Sequence, residues 1–421
     1  MSNDNLKEKR NNPNIFSISK YDLLIISPEK FKKYLYPLIK HKIKYGLKTK
    51  IVIPEEIYNS KYFPEYGRDR PEKIKYFIKK SIENWKISYV MLVGDINNIP
   101  IRKTYMWDGI YITDLYYSDI YNDDGSFSGW DTNNNNLFGE FHHDGNTDDL
   151  NLKPDVGIGR LACKNKIEVC NVVKKIIYYE QKTYGQKWFY RILLCGGNIT
   201  GQNTKYEKYW RWVGHGSIEG EHHTKLVMNE LKGFEKIKLW ESTNKLSLRA
   251  IIRSINMGVG FAYFSGHGYA LGWFTKPKKG KTVRFGFPYN HLLFNASKLP
   301  IIFFDGCYTG QLDYKIKNIP FPCIAWKLIS KRFGGAIAVM GSSRPEFTGS
   351  LQGGGSMLGL CFFKAYNQRN GSERLSDIYM KAQKDYLRTF KDRMTLQGYN
   401  LLGDPSLVIG GYPPCKESDR D

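Results

Sequence analysis

The sequence predicts an α/β fold with mostly parallel sheets, each covered by helices on both faces, and two observations predict it. Short apolar runs of strand length alternate with amphipathic stretches of helix length through most of the 421 residues, which is the pattern of a buried parallel sheet. The alternation breaks once, in a stretch rich in Asp, Asn and Gly, and then resumes, so the chain carries two α/β series. No internal repeat of 20 to 50 residues marks a solenoid or a propeller.

A polar tail covers residues 1–20. Residues 21–27 (YDLLIIS) then read as a buried strand, 28–45 as a helix, 48–53 (KTKIVI) as a strand, 71–85 as a helix and 89–95 (YVMLVGD) as a third strand. From 111 to about 155 the composition turns to Asp, Asn and Gly with almost no Lys, and a long loop is expected there. Strand 154–163 and an amphipathic helix at 166–185 follow, the helix bridging to the second series. The first unit is therefore 21–185 and the second 186–412, with a short tail at 413–421.

In the second series, strands are expected at 191–198 (RILLCGGN), 236–242, 259–268 (VGFAYFSGHG), 299–307 (LPIIFFDGC), 335–343 (GAIAVMGSS) and 406–410 (SLVIG). Helices are expected around 225–231, 246–257, 322–331 and 357–368.

The bulk properties exclude several classes. With 41% hydrophobic and 15% aromatic residues the composition is globular. No apolar run approaches the roughly 18 residues that span a bilayer. The polar first twenty residues contain no apolar stretch of a secretory signal, so the expected compartment is the cytoplasm. Seven cysteines (Cys163, Cys170, Cys195, Cys307, Cys323, Cys361, Cys415) form no CxxC pair, and an odd count fits reduced thiols. The net charge of +22 invites a nucleic-acid partner. The Lys and Arg residues are spread along the chain rather than clustered, however, so nucleic acid is not the expected partner.

Two strands of the second series end in reactive groups, His267 after GFAYFSG and Cys307 after IIFFDG. Parallel neighbouring strands with their tips at one sheet edge bring together an imidazole and a thiol 40 residues apart in sequence. A thiolate is a strong nucleophile near neutral pH, and an imidazole stabilises it and protonates a leaving amine. Gly266 and Gly268 leave room for a substrate backbone, and the N–H groups of Gly268 and Cys307 are placed to face a developing oxyanion. A lone Cys or His is more often a core or loop residue; the joint placement at two strand tips reverses that reading. A second GHG, around His215, follows a polar stretch and is read as carrying no chemistry.

Strand–SGHG followed by strand–DGC resembles the gingipain-type cysteine peptidases within the wider caspase-like group. Residues 92–100 (LVGDINNIP), 114–119 (DLYYSD), 154–169 (PDVGIGRLACKNKIEV), 334–343 and 400–409 (NLLGDPSLVI) are similar to that family in its order. The resemblance implies two three-layer α/β subdomains, the second caspase-like, and a cysteine endopeptidase working through a thioester with no cofactor in the chemistry. It implies Cys307 as nucleophile, His267 as acid/base, and Gly268 with Cys307 as oxyanion donors. An acidic residue stands behind the family's histidine, and Asn198 takes that place here. Cleavage after Arg or Lys is implied by Glu219 and Glu221, which fall near the acidic residue of the family's specificity pocket. Ser342, Ser343 and Phe347 match its other wall, and Trp273 is expected to cap it.

The resemblance includes calcium-stabilised members. Asp119, Asp123, Asp131, Asn133, Asn135 and Glu140 offer the oxygen ligands that calcium prefers, without EF-hand spacing. His142, His143, His222 and His223 are not spaced like a zinc site. Protein or peptide is the expected partner, as substrate. The competing reading is a catalytically silent protein of the same fold that serves as a binding or scaffold module for anionic partners.

Overall fold

The computed structural model describes residues 21–199, 218–276, 281–346, 353–369 and 373–414. In the first series the strands are β1 (Leu23–Ile26), β2 (Thr49–Val52), β3 (Tyr89–Val93) and β4 (Gly157–Leu161). In the second they are β5 (Arg191–Gly196), β6 (Glu235–Trp240), β7 (Phe261–Ser265), β8 (Ile301–Asp305), β9 (Ala338–Ser342) and β10 (Tyr399–Leu402). The inner strands are buried on both faces, as expected of strands covered by helices on each side, while the two edge strands β6 and β2 are more polar and partly exposed.

The two series join edge to edge in one ten-stranded sheet, in the order β6-β5-β7-β8-β9-β10-β4-β3-β1-β2. Strands β5 to β9 are mutually parallel where they pair, β10 is antiparallel to β9, and β10 is parallel to β4. The carboxyl ends of β5, β6, β7, β8 and β9 therefore open on one edge, the place where doubly wound sheets hold their sites.

Buried ion pairs tie the halves together. Lys42, on the helix Glu29–Lys44, meets Glu180 at 2.8 Å and Asp404 at 2.7 Å, all fully buried. Removing one partner would strand an uncompensated charge, which typically costs about 3–5 kcal/mol. Arg160, on β4, holds Asp114 with two 2.6 Å bonds and the Ile99 carbonyl at 2.8 Å.

Three expectations are corrected. Residues 406–410 are not a strand, although they are apolar: Leu407 N–H turns back to Asp404 O, Val408 N–H goes to Glu180, and Gly410 and Gly411 have φ of +86° and +79°. The late strand is β10, preceded by the helices Leu375–Phe390 and Arg393–Gly398. The helix expected from 225 begins earlier and runs Glu219–Glu230, because Gly220, Glu221, His222 and His223 are buried in its first turns.

The expected loop of 111–155 is a folded insertion. Arg102–Met106 pairs antiparallel with Gly109–Thr113, and Phe141–His143 and Asn146–Thr147 complete a four-stranded sheet. Its turns are held by short polar side chains that accept main-chain N–H groups, such as Asn135 N–H to Asp131 at 3.0 Å and Thr132 N–H to Asp148 at 2.6 Å. That is why an Asp/Asn-rich segment without apolar periodicity still folds. Among the described residues no helix is long and apolar enough to cross a membrane.

Candidate active site

β7 and β8 pair in parallel register from Phe261↔Ile301 to Ser265↔Asp305, so the next residues, Gly266–His267 and Gly306–Cys307, leave the sheet side by side. The Gly266 N–H donates to Asp305 O at 3.1 Å. At Gly268 a Cβ would lie 2.1 Å from Cys307 O and 2.7 Å from Cys307 N, so only glycine lets the two tips touch backbone to backbone.

His267 belongs to a small antiparallel sheet, His267–Tyr269 with Gly272–Phe274 and Arg284–Gly286, and its ring stacks on Phe274 with centroids 5.0 Å apart. Its Nε2–H donates to the carbonyl of Ile199 at 2.5 Å. A carbonyl only accepts, so the proton sits on Nε2 and the basic lone pair is on Nδ1. Burial lowers the imidazole pKa, assisted by Lys276, while the Ile199 carbonyl and Glu219 act to raise it.

Cys307 is half-buried, and the Glu346 main chain holds its sulfur. The Glu346 N–H donates to Sγ at 3.3 Å, and the thiol reaches Glu346 O at 3.6 Å. Burial, followed by the Glu346 carboxyl, pushes the thiol pKa up to about 12. Burial thus acts against the charged form of both groups, the thiolate of Cys307 and the imidazolium of His267.

Beneath the thiol lies a buried polar layer. Asp305 accepts from Ser265 Oγ at 2.6 Å and Tyr263 at 3.2 Å, and His223 Nδ1 is 3.0 Å from Ser265 Oγ. Tyr399 donates to Phe304 O at 3.0 Å and also pairs with the Glu346 carboxyl. The Tyr399 hydroxyl thus faces two acceptors, the Phe304 carbonyl and the Glu346 carboxyl. Burial and Asp305 push the Glu346 carboxyl well above its ordinary value, and the Tyr399 hydrogen bond acts against that rise.

The other expected residues fall as follows. The Asn198 main chain is fixed by its N–H to Glu241 at 2.8 Å and by Lys276 N–H to its carbonyl at 2.9 Å. The group placed on the imidazole is the carbonyl of the next residue, Ile199. Glu219 and Glu221 are only 6% and 1% exposed. Glu221 accepts from Ser242 N–H and Oγ at 2.7 and 2.6 Å, and Glu219 from Ile199 N–H at 3.4 Å. They back the loop that holds His267.

Trp273 cannot cap an open pocket, because it is fully buried against Phe264 and directly beneath Gly266. Ser342 and Ser343 are buried too; Ser343 ties the end of β9 to the insertion through Ile112 O at 2.9 Å. Phe347 and His215 lie outside the described residues.

Of the six oxygen donors in the insertion, Asp131, Asn133, Asn135 and Glu140 converge: both Asn amides donate to Glu140 Oε2 at 2.8 Å, and Asn135 N–H reaches Asp131. Asp119 stands apart, bonded to Trp130 at 2.7 Å, and Asp123 is an exposed partner of Lys153. Among the described residues no group of three or more His, Cys, Asp or Glu is arranged to hold a metal ion.

Sequence reasoning missed Ile199, Glu241, Glu346 and Tyr399. Only Glu241 left a signal, since it follows a strand that pairs in register with β5, where Trp240 faces Gly196.

Comparison with known proteins agrees with this geometry. The chain is 23% identical over 405 residues to gingipain R2 of Porphyromonas gingivalis, covering 94% of this chain and 46% of that protein. It is 23% identical over 333 residues to a Lys-gingipain of the same organism, covering 78% of this chain and 16% of that one. The chain thus spans less than half the length of these curated relatives. The crystal structure of the Arg-specific cysteine proteinase gingipain R superposes with a TM-score of 0.69 at 20% identity, covering 95% of this chain and 80% of that chain, which shows a shared fold. The signature of peptidase family C25 matches residues 17–410, and the chain belongs to that family.

Proposed function

We propose that this chain is a cysteine endopeptidase in which Cys307 attacks the peptide carbonyl and His267 shuttles the proton. The observation that carries this reading is the in-register delivery of His267 and Cys307 from two parallel strands, with their backbones in contact. As Sγ bonds to the carbonyl carbon, its proton passes to Nδ1 of His267. The resulting imidazolium is held by Nε2–H to Ile199. The oxyanion is met by the N–H groups of Gly268 and Cys307, and one such donor is typically worth about 3 kcal/mol. Nδ1–H then protonates the leaving amine as the C–N bond breaks, leaving a thioester. Water, deprotonated by His267, hydrolyses the thioester and restores the thiol. The scaffold reading is not favoured, because the chain belongs to a peptidase family.

Protein and peptide substrates follow from this chemistry. Preference for Arg or Lys before the scissile bond is supported by the names of the relatives, "Arg specific" and "Lys-gingipain". Glu219 and Glu221 are already occupied by main-chain and Ser242 groups, which weakens their role as the selecting carboxylates. A structural calcium ion in the insertion is part of the same proposal. Its support is that Glu140 Oε1 is buried with no hydrogen-bond partner among the described residues, beside Asp131, Asn133 and Asn135. The ion would brace the insertion and take no part in the chemistry.

One experiment tests these points together: cleavage of fluorogenic peptides with Arg, Lys, Asp or Asn before the scissile bond, against pH, in calcium and in EDTA. We expect cleavage after a basic residue. Because the His267 pKa is lowered, the base form persists to lower pH, and the acid limb of kcat/KM should fall below the ordinary histidine value of about 6.5. EDTA should lower the melting temperature by several degrees with little change in kcat; an unchanged melting temperature would remove calcium from the account. Cleavage only after Asp or Asn would keep the dyad and remove the basic preference.

A further inference from the structure

The imidazole of His267 is oriented by a main-chain carbonyl, that of Ile199, and the question is what fixes that carbonyl. We propose that Glu241 is the positioning carboxylate of this active site, acting on His267 through the main chain of residues 197–199. The proposal rests on the cysteine peptidase reading of the site.

β5 ends at Gly196, and the chain then leaves the sheet toward the histidine. Residues 197–199 make no ladder of their own, so their position depends on what accepts and donates around them. Gly220 N–H donates to Gly197 O at 3.2 Å, and Lys276 N–H to Asn198 O at 2.9 Å. Ile199 N–H is 3.4 Å from Glu219 Oε2. The shortest of these anchors is Asn198 N–H to Glu241 Oε2 at 2.8 Å, a bond to a charged acceptor. The next carbonyl along is the one on Nε2, at 2.5 Å.

The neighbouring strand delivers Glu241 to this place. Trp240 pairs with Gly196 at the end of the β6–β5 ladder, so Glu241 comes to lie beside Gly197. A Cβ on Gly197 would be 3.0 Å from Glu241 Oε2, so the carboxylate packs against the bare glycine backbone. The turn after Glu241 is closed by Asn244 N–H to Glu241 O at 2.9 Å, which fixes the main chain that carries the carboxylate.

The chemical consequence concerns the imidazolium formed during turnover. Asn198, at the place where the family resemblance puts an acid, carries no charge. A carboxylate one strand away, bonded to the amide of that same residue, orients the ring through the main chain, and its charge is expected to favour the imidazolium at longer range. The charged side chains that shift His267 directly are Lys276, which opposes the imidazolium, and Glu219, which favours it. Glu221 and Glu219 in turn crowd Glu241.

The test compares Glu241→Gln and Glu241→Ala with wild type. It measures kcat and KM on a fluorogenic peptide cleaved by wild type, the pH dependence of Cys307 alkylation by iodoacetamide, and thermal melting. Glu241→Ala is expected to lower kcat about 10- to 100-fold, the order expected when a catalytic group is displaced by a fraction of an ångström to one ångström, with KM within about twofold. Glu241→Gln keeps an oxygen acceptor for Asn198 N–H and should recover most of kcat. Having lost the charge, it should still move the acid limb of alkylation to lower pH, because the imidazolium loses a favourable neighbour. A merely structural residue would change melting without moving that limb in the folded protein. If wild type cleaves peptide, Cys307→Ala does not, and both Glu241 variants keep the wild-type kcat and acid limb, the Glu241 assignment is overturned and the peptidase reading stands. Wild-type cleavage that survives Cys307→Ala would overturn both.

Discussion

Cys307→Ala is expected to abolish peptide cleavage, lowering kcat by about 10⁴-fold or more, with a melting temperature within a few degrees of wild type. The size follows from the role: with no nucleophile, only binding and oxyanion stabilisation remain, and nucleophile deletions in comparable dyads and triads reach about 10⁶-fold. The small effect on stability follows from the surroundings. The sulfur is half-buried, and the hydrogen bonds it makes are to the Glu346 main chain. Replacing the thiol with a methyl group removes one atom from a site already open to solvent on one side. Activity assays and thermal melts on the same preparation separate the two effects. An alanine variant that melts normally but retains a tenth of wild-type cleavage would be incompatible with Cys307 as nucleophile.

Gly268→Ala is expected to have the next largest effect, although it adds a single methyl group. Its Cβ would lie 2.1 Å from Cys307 O, 2.6 Å from Gly306 C and 2.7 Å from Cys307 N. All three are backbone atoms, so no side chain can swing away, and the two tips must move apart. The nucleophile, the histidine and one oxyanion donor would be displaced together, for which a loss of about 10²- to 10³-fold in kcat is expected. Overpacking of this kind also costs about 1–3 kcal/mol of stability. Gly129→Ala is the control, since nothing lies within 4 Å of a Cβ there, and it should leave both quantities unchanged. Equal kcat for Gly268→Ala and wild type would show that the two tips are not packed as described.

Much of this site was legible in the sequence because its two reactive groups sit at the ends of apolar strands. FAYFS and IIFFD are buried on both faces, so they read as strands from composition alone, and the glycines after them mark where the chain leaves the sheet. Parallel pairing then follows from the alternation of strands and helices, and adjacency of His267 and Cys307 follows from pairing. The groups that tune the dyad were not legible, for a physical reason. Ile199 acts through its carbonyl and Glu346 grips the sulfur with its main chain, and a backbone group is the same in every residue, so neither leaves a trace in side-chain pattern.

The pocket residues were harder still. Trp273 reads as an exposed cap from its position after the histidine, yet its indole fills the core beneath Gly266, where a large apolar ring is most stable. Glu219 and Glu221 read, through the family resemblance, as carboxylates of the specificity pocket. They are buried instead because main-chain N–H groups and Ser242 satisfy them. Residues 406–410 show the limit of composition: SLVIG has strand residues, but the pull of Glu180 on Val408 N–H and two glycines at positive φ curl the backbone out of the sheet.

The most direct test of the central claim is the site and rate of alkylation by iodoacetamide at neutral pH, followed by mass spectrometry on wild type and His267→Ala. Thiol acidity alone does not favour Cys307, because burial raises its pKa and that of half-buried Cys361 alike. Any selectivity for Cys307 must therefore come from a base beside it. The account predicts that Cys307 is alkylated first in wild type and loses that lead in His267→Ala, in step with the loss of peptide cleavage. Faster labelling of Cys361 or Cys170 in wild type, or a Cys307 rate indifferent to His267→Ala, would contradict the dyad.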